Sequence, residues 1–149
     1  MREGMDKVLR NRMNIISYLP AWLIDERICG KKDYEVSKLK GFSIYTNGRN
    51  ADNMYIKRFW RVLGTFSKEQ KADYLKFVTG RTRLPIKQED MKHKVNLCPD
   101  KKNTLPVAHT CFNTIDLPQY STDDLCRHKL IKAQEWCGGV DLDNNDFAE

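Results

Sequence analysis

The sequence lacks long apolar runs, internal repeats and a regular cysteine pattern. No apolar run approaches the roughly 20 residues that a membrane-spanning helix needs. The first residues, MREGMDKVLRNR, lack the apolar stretch of a signal peptide. We therefore expect no membrane partner and an intracellular location, in the cytoplasm or the nucleus. The length of 149 residues fits one compact domain with a sizeable core, or one domain with a short appendage.

The cysteine pattern argues against a secreted disulfide-bonded domain and against a structural zinc site. Their number, five, is odd, and their scattered positions do not fit a secreted disulfide framework. A single residue separates His109 from Cys111 and Cys126 from His128, which is too few for the usual spacing of structural zinc ligands. We predict reduced thiols, no metal site and no cofactor.

Charge is unevenly distributed along the chain. The net charge is +6, yet residues 1–102 hold 23 Lys and Arg against 12 Asp and Glu, whereas residues 103–149 hold 3 against 8. The basic part could attract an acidic surface or nucleic-acid phosphates. Its basic residues are interleaved with acids and no single run dominates, so a solvated face is favoured and we predict no nucleic-acid partner.

Helical patterns dominate the first half. A helix with one apolar side is predicted to begin at Pro20 and to end at Gly30. KKDYEVSKLKG predicts a short helix, and MYIKRFWRVLGTF has the spacing of an amphipathic one. A capping box at Ser67 and Gln70 starts another helix, which stops at Gly80. The predicted buried residues are Trp22, Leu23, Ile28 and Cys29 in the first helix, and Ile56, Phe59, Trp60, Leu63 and Phe66 in the amphipathic one.

The second half predicts strands and one long helix. Short apolar pieces at 84–86 and 95–97 fit loops and brief strands, and residues 111–117 read as a strand between two prolines. Ser121 and Thr122 cap a last helix, DDLCRHKLIKAQEWC, which Gly138 and Gly139 end. We assign Trp22, Trp60 and Trp136 to packing roles.

Cys111 lies in a loop that runs into the predicted strand, where a thiol can be exposed while its backbone is held. An ordinary cysteine has a pKa near about 8.5, so a polar or cationic neighbour is needed to raise its thiolate fraction. Composition alone favours a buried small apolar residue. The neighbouring sequence changes that interpretation.

LPVAHTCFNTIDLPQYS resembles the active-site segment of HECT-type ubiquitin ligases, in which the cysteine accepts ubiquitin as a thioester. IKRFWRVLGTFSKEQKADYLKFVTGRTRLP is similar to the two helices and turn that precede it in that family, and LPAWLIDERICG to the last helix of the family's N-terminal lobe. The matches follow the family's order over nearly the whole chain. They imply an α+β fold, in which a small sheet packs against several helices. A helical tail of the N-terminal lobe precedes this unit in the chain.

The resemblance implies that residues 1–29 end the N-terminal lobe, residues 30–32 (Gly30, Lys31 and Lys32) form a hinge, and residues 33–149 form the C-terminal lobe. Gly30 can serve as hinge, helix cap or both. Cys111 would take ubiquitin from a conjugating enzyme, whose docking surface is mostly absent here, and pass it to a lysine of a substrate protein. His109 and Thr110 would support this reaction, although a purely structural contact for His109 stays open.

Two further sites follow from the resemblance. An extended ubiquitin tail would lie beside the strand after the cysteine, and the candidate residues are Phe112, Asn113, Thr114, Ile115 and Leu117. Family members carry a Phe just after the last helix that assists transfer. Gly139 stands in that place here, so Phe147 is a candidate substitute anchor.

The sequence alone leaves two other functions open. A cysteine hydrolase would use Cys111 with a histidine and release free product. A catalytically idle fragment would only bind ubiquitin or another partner. The other four cysteines, Cys29, Cys98, Cys126 and Cys137, are assigned structural roles.

Overall fold

The computed structural model describes residues 18–30, 33–46, 52–85 and 91–140, with side chains up to Trp136. Within these ranges the chain forms five α-helices and a four-stranded sheet, which confirms the predicted α+β class. The helices are α1 (Ala21–Cys29), α2 (Val36–Gly41), α3 (Met54–Gly64), α4 (Lys68–Thr79) and α5 (Asp123–Val140). The strands are β1 (Ile44–Tyr45), β2 (Lys94–Lys102), β3 (Val107–His109) and β4 (Thr114–Gln119).

The sheet has the strand order β1-β2-β4-β3. Strand β2 runs parallel to β1 and to β4, whereas β3 pairs antiparallel with β4. Strand β4 is therefore hydrogen-bonded to a neighbour on each side. In its register with β2, Ile115 lies opposite Val95 and Leu117 opposite Leu97.

One face of the sheet forms part of the core. The four apolar side chains of that register are at most 1% exposed, and α4 packs against β3 and β4 on this side. Because side chains alternate along a strand, Asn96, Thr114 and Asp116 lie on the opposite, more open face. None of the described helices is long and apolar enough to cross a membrane.

The helix starts and the amphipathic face agree with the sequence predictions. The Ser67 hydroxyl accepts a hydrogen bond from the Gln70 amide at 3.2 Å, and the Gln70 side chain accepts one from the Ser67 amide at 3.0 Å. Thr122 caps α5 by accepting from the Leu125 amide at 3.2 Å. The predicted face of α3, together with Phe66, is buried: Ile56, Phe59, Trp60, Leu63 and Phe66.

Two helix predictions are wrong. Helix α1 has no buried residue, and Trp22 is 65% and Ile28 78% exposed, because the described part of the chain does not cover these two side chains. Helix α5 runs through both glycines to Val140 instead of ending there. Glycine costs only about 1 kcal/mol in a helix interior, so a helix of 18 residues can include it.

Gly30 is confirmed as the cap of α1. Its amide donates to the Glu26 carbonyl at 2.9 Å, and its φ of +88° favours glycine. A Cβ at this position would lie 2.2 Å from the carbonyl oxygen of Leu84, so a side chain cannot fit without movement. The hinge role of residue 30 stays a prediction, and Lys31 and Lys32 lie outside the described residues.

A buried histidine connects the sheet to two helices. The Ser43 hydroxyl donates to the Leu39 carbonyl at 2.6 Å, so it accepts from Nδ1 of His93 at 2.7 Å. Nε2 then accepts from the Tyr74 hydroxyl at 2.8 Å. Burial lowers the pKa of His93 to about 4, which keeps the imidazole neutral.

This histidine predicts a specific pH dependence of stability. Between pH 6.5 and about 4 the unfolded chain binds a proton at His93 that the folded chain does not, so the free energy of unfolding falls with decreasing pH. The loss from this group is at most about 3 kcal/mol. Urea denaturation of His93→Gln at several pH values should show a smaller fall than the wild type. His128→Gln, at an exposed position of α5, is the matched control; equal falls in His93→Gln and wild type would contradict the prediction.

Candidate active site

Cys111 lies in the turn of a β-hairpin. Strand β3 leads into a 3₁₀ turn at Thr110–Phe112, and β4 follows one residue later. The cysteine is exposed at the centre of the turn. The sequence predicted a strand from residue 111, but β4 begins at Thr114 and the preceding strand β3 was missed. Three residues are too few to give a readable alternation.

The backbone of the turn is fixed from both ends. The Asn113 amide donates to the Thr110 carbonyl at 3.3 Å, and the Asn113 carbonyl accepts from the Lys94 amide of β2 at 2.9 Å. Asn113 has φ +49° and ψ 42°, the left-handed conformation that asparagine adopts more readily than most residues. The thiol is therefore accessible on a backbone that the sheet holds in place.

A cleft of about 460 Å³ opens beside the thiol. Arg81 is the charged residue that lines it, and no described Asp or Glu does so. The described lining therefore supplies a positive charge and two threonine side chains near Cys111, but no carboxylate base. The lining residues are Thr79, Arg81, Pro85, Met91, Thr110, Cys111 and Asn113.

His109 lines a different groove, on the open face of the sheet. Its Nε2 lies 3.3 Å from Oδ2 of Asp116. The other carboxylate oxygen accepts from the Asn96 amide at 2.8 Å, and Asn96 in turn accepts from the Thr46 hydroxyl at 2.9 Å. This groove, also about 460 Å³, is lined by His109 and Phe112 but not by Cys111. The imidazole thus contacts Asp116, and the geometry does not bring it together with the cysteine.

The residues predicted to bind a ubiquitin tail fall into two groups. Phe112 is 68% exposed, and Asn113 and Thr114 are partly exposed. Ile115 and Leu117 are at most 1% exposed in the core, so their side chains cannot contact a partner. Both are core residues because they occupy the inward positions of β4.

The edge of the sheet also differs from the prediction. A tail cannot add as a strand to β4 along Thr114–Asp116, because β2 and β3 already occupy its two sides. In the described sheet, β3 is the outer strand on this side. Main-chain pairing with a partner is therefore possible along Val107–His109, immediately before the turn.

The other cysteines are in different surroundings. Cys126 is buried, and burial raises the pKa of its thiol to about 12. Cys98 is partly buried, and burial followed by the nearby Asp116 raises its pKa. Cys29 is exposed on α1, remote in sequence from the hairpin. The side chain of Cys137 and the whole of Phe147 lie outside the described residues.

Several residues of the two grooves were not predicted, and three of them carry or contact charge: Asp116, Asn96 and Arg81. Asp116 and Asn96 are brought together by the parallel pairing of β4 with β2, and Arg81 reaches the cysteine cleft through the turn after α4. No local pattern in the sequence indicates such contacts. Among the described residues, no group of three His, Cys, Asp or Glu side chains could hold a metal ion.

The chain belongs to the HECT-domain (ubiquitin-transferase) family, whose model matches residues 1–143. It is 32% identical over 97% of its length to the E3 ubiquitin-protein ligase HERC2 of Homo sapiens. It is 34% identical over 77% of its length to the probable E3 ubiquitin-protein ligase HERC4 of Homo sapiens, and 32% identical over 91% to the E3 ubiquitin-protein ligase HUWE1 of Mus musculus. The matched region spans 3%, 11% and 3% of these relatives, respectively.

The conformation of Asn113 predicts how the turn responds to substitution. Asn113→Gly should keep the wild-type free energy of unfolding within about 0.5 kcal/mol, because glycine adopts a positive φ without strain. Asn113→Val should lower it by at least about 1 kcal/mol, because a β-branched side chain resists this conformation. Urea denaturation measures both. Equal stability of the two variants would show that the left-handed turn is not required.

Proposed function

We propose that this chain carries ubiquitin as a thioester on Cys111 and passes it to a lysine of a substrate protein. Membership of the HECT family supports the class of reaction. The observation that carries the assignment is the exposed thiol at the centre of the β3–β4 turn, beside an open cleft. The proposed partners are ubiquitin, a ubiquitin-conjugating enzyme and the substrate protein.

Two acyl transfers make up the proposed reaction. First, the Cys111 thiolate bonds to the carbonyl carbon of the ubiquitin C-terminus while the bond to the cysteine of the conjugating enzyme breaks, and that thiolate leaves. Then a neutral lysine amine bonds to the same carbon, the Cys111 thiolate leaves, and the nitrogen loses its proton. One thioester replaces another in the first step, so that step requires no strong base.

The second step requires deprotonation of the amine. No described carboxylate lines the cysteine cleft, so we assign the proton to solvent or to a group outside the described residues. Thr110 lines the cleft together with Cys111 and is the candidate to polarise the thioester carbonyl. His109 is held by Asp116 in the neighbouring groove, and its proposed support is to fix the strand beside the turn.

We further propose that the ubiquitin tail lies against the exposed side of the hairpin. Phe112 supplies an apolar contact, Asn113 and Thr114 flank it, and the outer strand β3 offers main-chain groups. This position of the ubiquitin tail differs from the one beside β4 that the sequence predicted. The carboxylate of Asp116 on the same face also provides an acceptor for a polar or cationic tail residue.

The domain assignment is also a proposal. Residues 1–29 would belong to the N-terminal lobe, 30–32 to a hinge and 33–149 to the C-terminal lobe. The exposed apolar side chains of α1 support this division, because Trp22 and Ile28 need a packing partner that the described residues do not supply. In this arrangement the conjugating enzyme docks mainly outside this chain, and the reaction takes place inside the cell.

A cysteine hydrolase is less well supported. Such an enzyme pairs its thiol with a histidine, whereas His109 contacts Asp116 in another groove. His93 is buried and hydrogen-bonded through both ring nitrogens. Within the described residues, no histidine lines the cleft beside Cys111.

The thioester assignment predicts the outcome of three cysteine substitutions. Incubation with an excess of charged conjugating enzyme should give a ubiquitin adduct that thiols cleave. Cys111→Ser should convert it into an ester stable to thiols, and Cys111→Ala should abolish it. Cys29→Ser, the matched exposed control, should charge like the wild type. Persistence of the adduct in Cys111→Ala, or its loss in Cys29→Ser, would refute the assignment, and release of free ubiquitin without an adduct would favour a hydrolase.

The tail-binding proposal predicts a selective defect in Phe112→Ala. Removal of an exposed aromatic contact should slow charging of Cys111 about tenfold, the effect of losing about 1.4 kcal/mol of binding. The free energy of unfolding should stay within about 0.5 kcal/mol, since the ring is not in the core. Met54→Ala removes an exposed apolar side chain from the start of α3 and is the control. Equal charging rates for the two variants would contradict the proposal.

A further inference from the structure

The C-terminal end of helix α4 packs against the turn that carries Cys111. Thr79, the last residue of this helix, lines the cysteine cleft together with Thr110 and Cys111. The C-terminal end of a helix carries a partial negative charge, because its last carbonyl groups lack partners within the helix. Negative charge that forms in this cleft is therefore disfavoured unless a cation lies near it.

Arg81 supplies such a cation two residues beyond the helix. It is exposed, and it is the charged residue in the described lining of the cleft. The Thr79 hydroxyl donates to the Leu75 carbonyl at 2.8 Å and accepts from the Arg81 amide at 3.2 Å, so the helix end holds the Arg81 backbone. In the described part of the chain, no hydrogen bond or ion pair occupies the guanidinium group. The cation is therefore available to a group that enters the cleft.

Negative charge forms on the same atom in both proposed acyl transfers. When the nucleophile bonds to the carbonyl carbon of the ubiquitin C-terminus, the π electron pair of the C=O bond moves to the oxygen and gives an oxyanion. The pair returns when the C–S bond breaks and the thiolate leaves. In each intermediate this carbon is bonded to the sulfur of Cys111, so the oxyanion forms at the cleft that Arg81 lines. A hydrogen-bond donor or cation held at such an oxygen lowers the barrier to acyl transfer.

We propose that the guanidinium group of Arg81 binds the thioester carbonyl oxygen and stabilises the oxyanion that forms on it. This inference rests on the proposed function and adds a charged group to Thr110, the candidate to polarise the same carbonyl. A guanidinium presents several N–H donors in a fixed fork, so one side chain supplies both charge and hydrogen bonds to the oxygen. Because Arg81 is exposed, solvent and salt weaken its contribution relative to that of a buried donor.

Charging without the conjugating enzyme tests this role. The full chain is mixed with ubiquitin whose C-terminus carries a thioester to a small thiol, and the adduct on Cys111 is followed with time. Arg81→Gln should slow charging about tenfold, whereas Arg81→Lys, which keeps the charge, should stay within about threefold of the wild type. Added salt should reduce the difference between Arg81→Gln and the wild type, because it screens an exposed charge.

Arg27→Gln is the matched control. Arg27 is also an exposed arginine, and it lines the adjoining cleft of about 580 Å³ but not the cysteine cleft. Its replacement removes the same charge from the same side of the molecule without removing a donor beside Cys111. The Arg27→Gln variant should therefore charge like the wild type.

Alkylation separates an effect on the oxyanion from an effect on the thiol. Iodoacetamide reacts with a thiolate at a saturated carbon, so this reaction forms no oxyanion at Cys111. Its rate, measured at Cys111 by peptide mass spectrometry, should differ by no more than about twofold between the wild type and Arg81→Gln. The midpoint of urea unfolding should also be unchanged, since the side chain is exposed.

Three results would overturn the inference. One is charging of Arg81→Gln at the wild-type rate. Another is an equal loss of charging and alkylation in that variant, which would assign Arg81 to the thiol or to the fold. The third is an equal loss of charging in Arg27→Gln, which would indicate a general effect of surface charge. If the wild type forms no adduct although Cys111 is alkylated, the proposed function fails and the inference with it, whereas the other three results leave the proposed function intact.

Discussion

Strand β4 is hydrogen-bonded to β2 on one side and to β3 on the other, and the position of the turn that carries Cys111 depends on this double pairing. Burial of Ile115 and Leu117 fixes the register, because a shift by one residue would turn both side chains toward solvent. The same register places Asn113 against Lys94, which holds the end of the turn. The exposed cysteine therefore obtains its fixed position from side chains that lie in the core.

The buried imidazole of His93 also stabilises this arrangement through hydrogen bonds. His93 directly precedes β2, and its ring bonds to Ser43 before β1 and to Tyr74 of α4. The next residue, Lys94, donates to Asn113 in the turn. The hairpin that carries Cys111, strand β2 and the segments at Ser43 and Tyr74 are thus connected through the adjacent residues His93 and Lys94.

Helices with strong local signals could be predicted from the sequence. The capping box at Ser67, the glycine stop at Gly80 and the apolar spacing of α3 depend on neighbouring residues, and all three are present in the structure. The family was also predictable, because LPVAHTCFN is a distinctive run. Features that depend on long-range pairing were not. Strand β3 is too short to show alternation, and only the sheet topology reveals that β4 is a central strand.

The geometry around the candidate site could not be predicted from the sequence. Proximity in sequence suggested that His109 could act on Cys111, yet a two-residue separation across a strand end directs the two side chains to different grooves. Burial of Ile115 could not be distinguished from exposure, because alternation identifies two faces without showing which one is covered. The apolar side of α1 was wrongly predicted to be part of the core for the same reason. Periodicity identifies an apolar surface but not its partner.

Separation of the histidine from the thiol has a kinetic consequence for a carrier. A thioester hydrolyses readily when a neighbouring base removes a proton from an attacking water. In the described cleft, neither an imidazole nor a carboxylate stands beside Cys111 to activate water in this way. For the thioester proposed on Cys111, the described lining therefore gives an attacking water no such assistance, whereas a neutral amine carries its own nucleophilic lone pair. Under the proposed function, the described lining of the cleft therefore favours transfer of the acyl group to an amine over its loss to water.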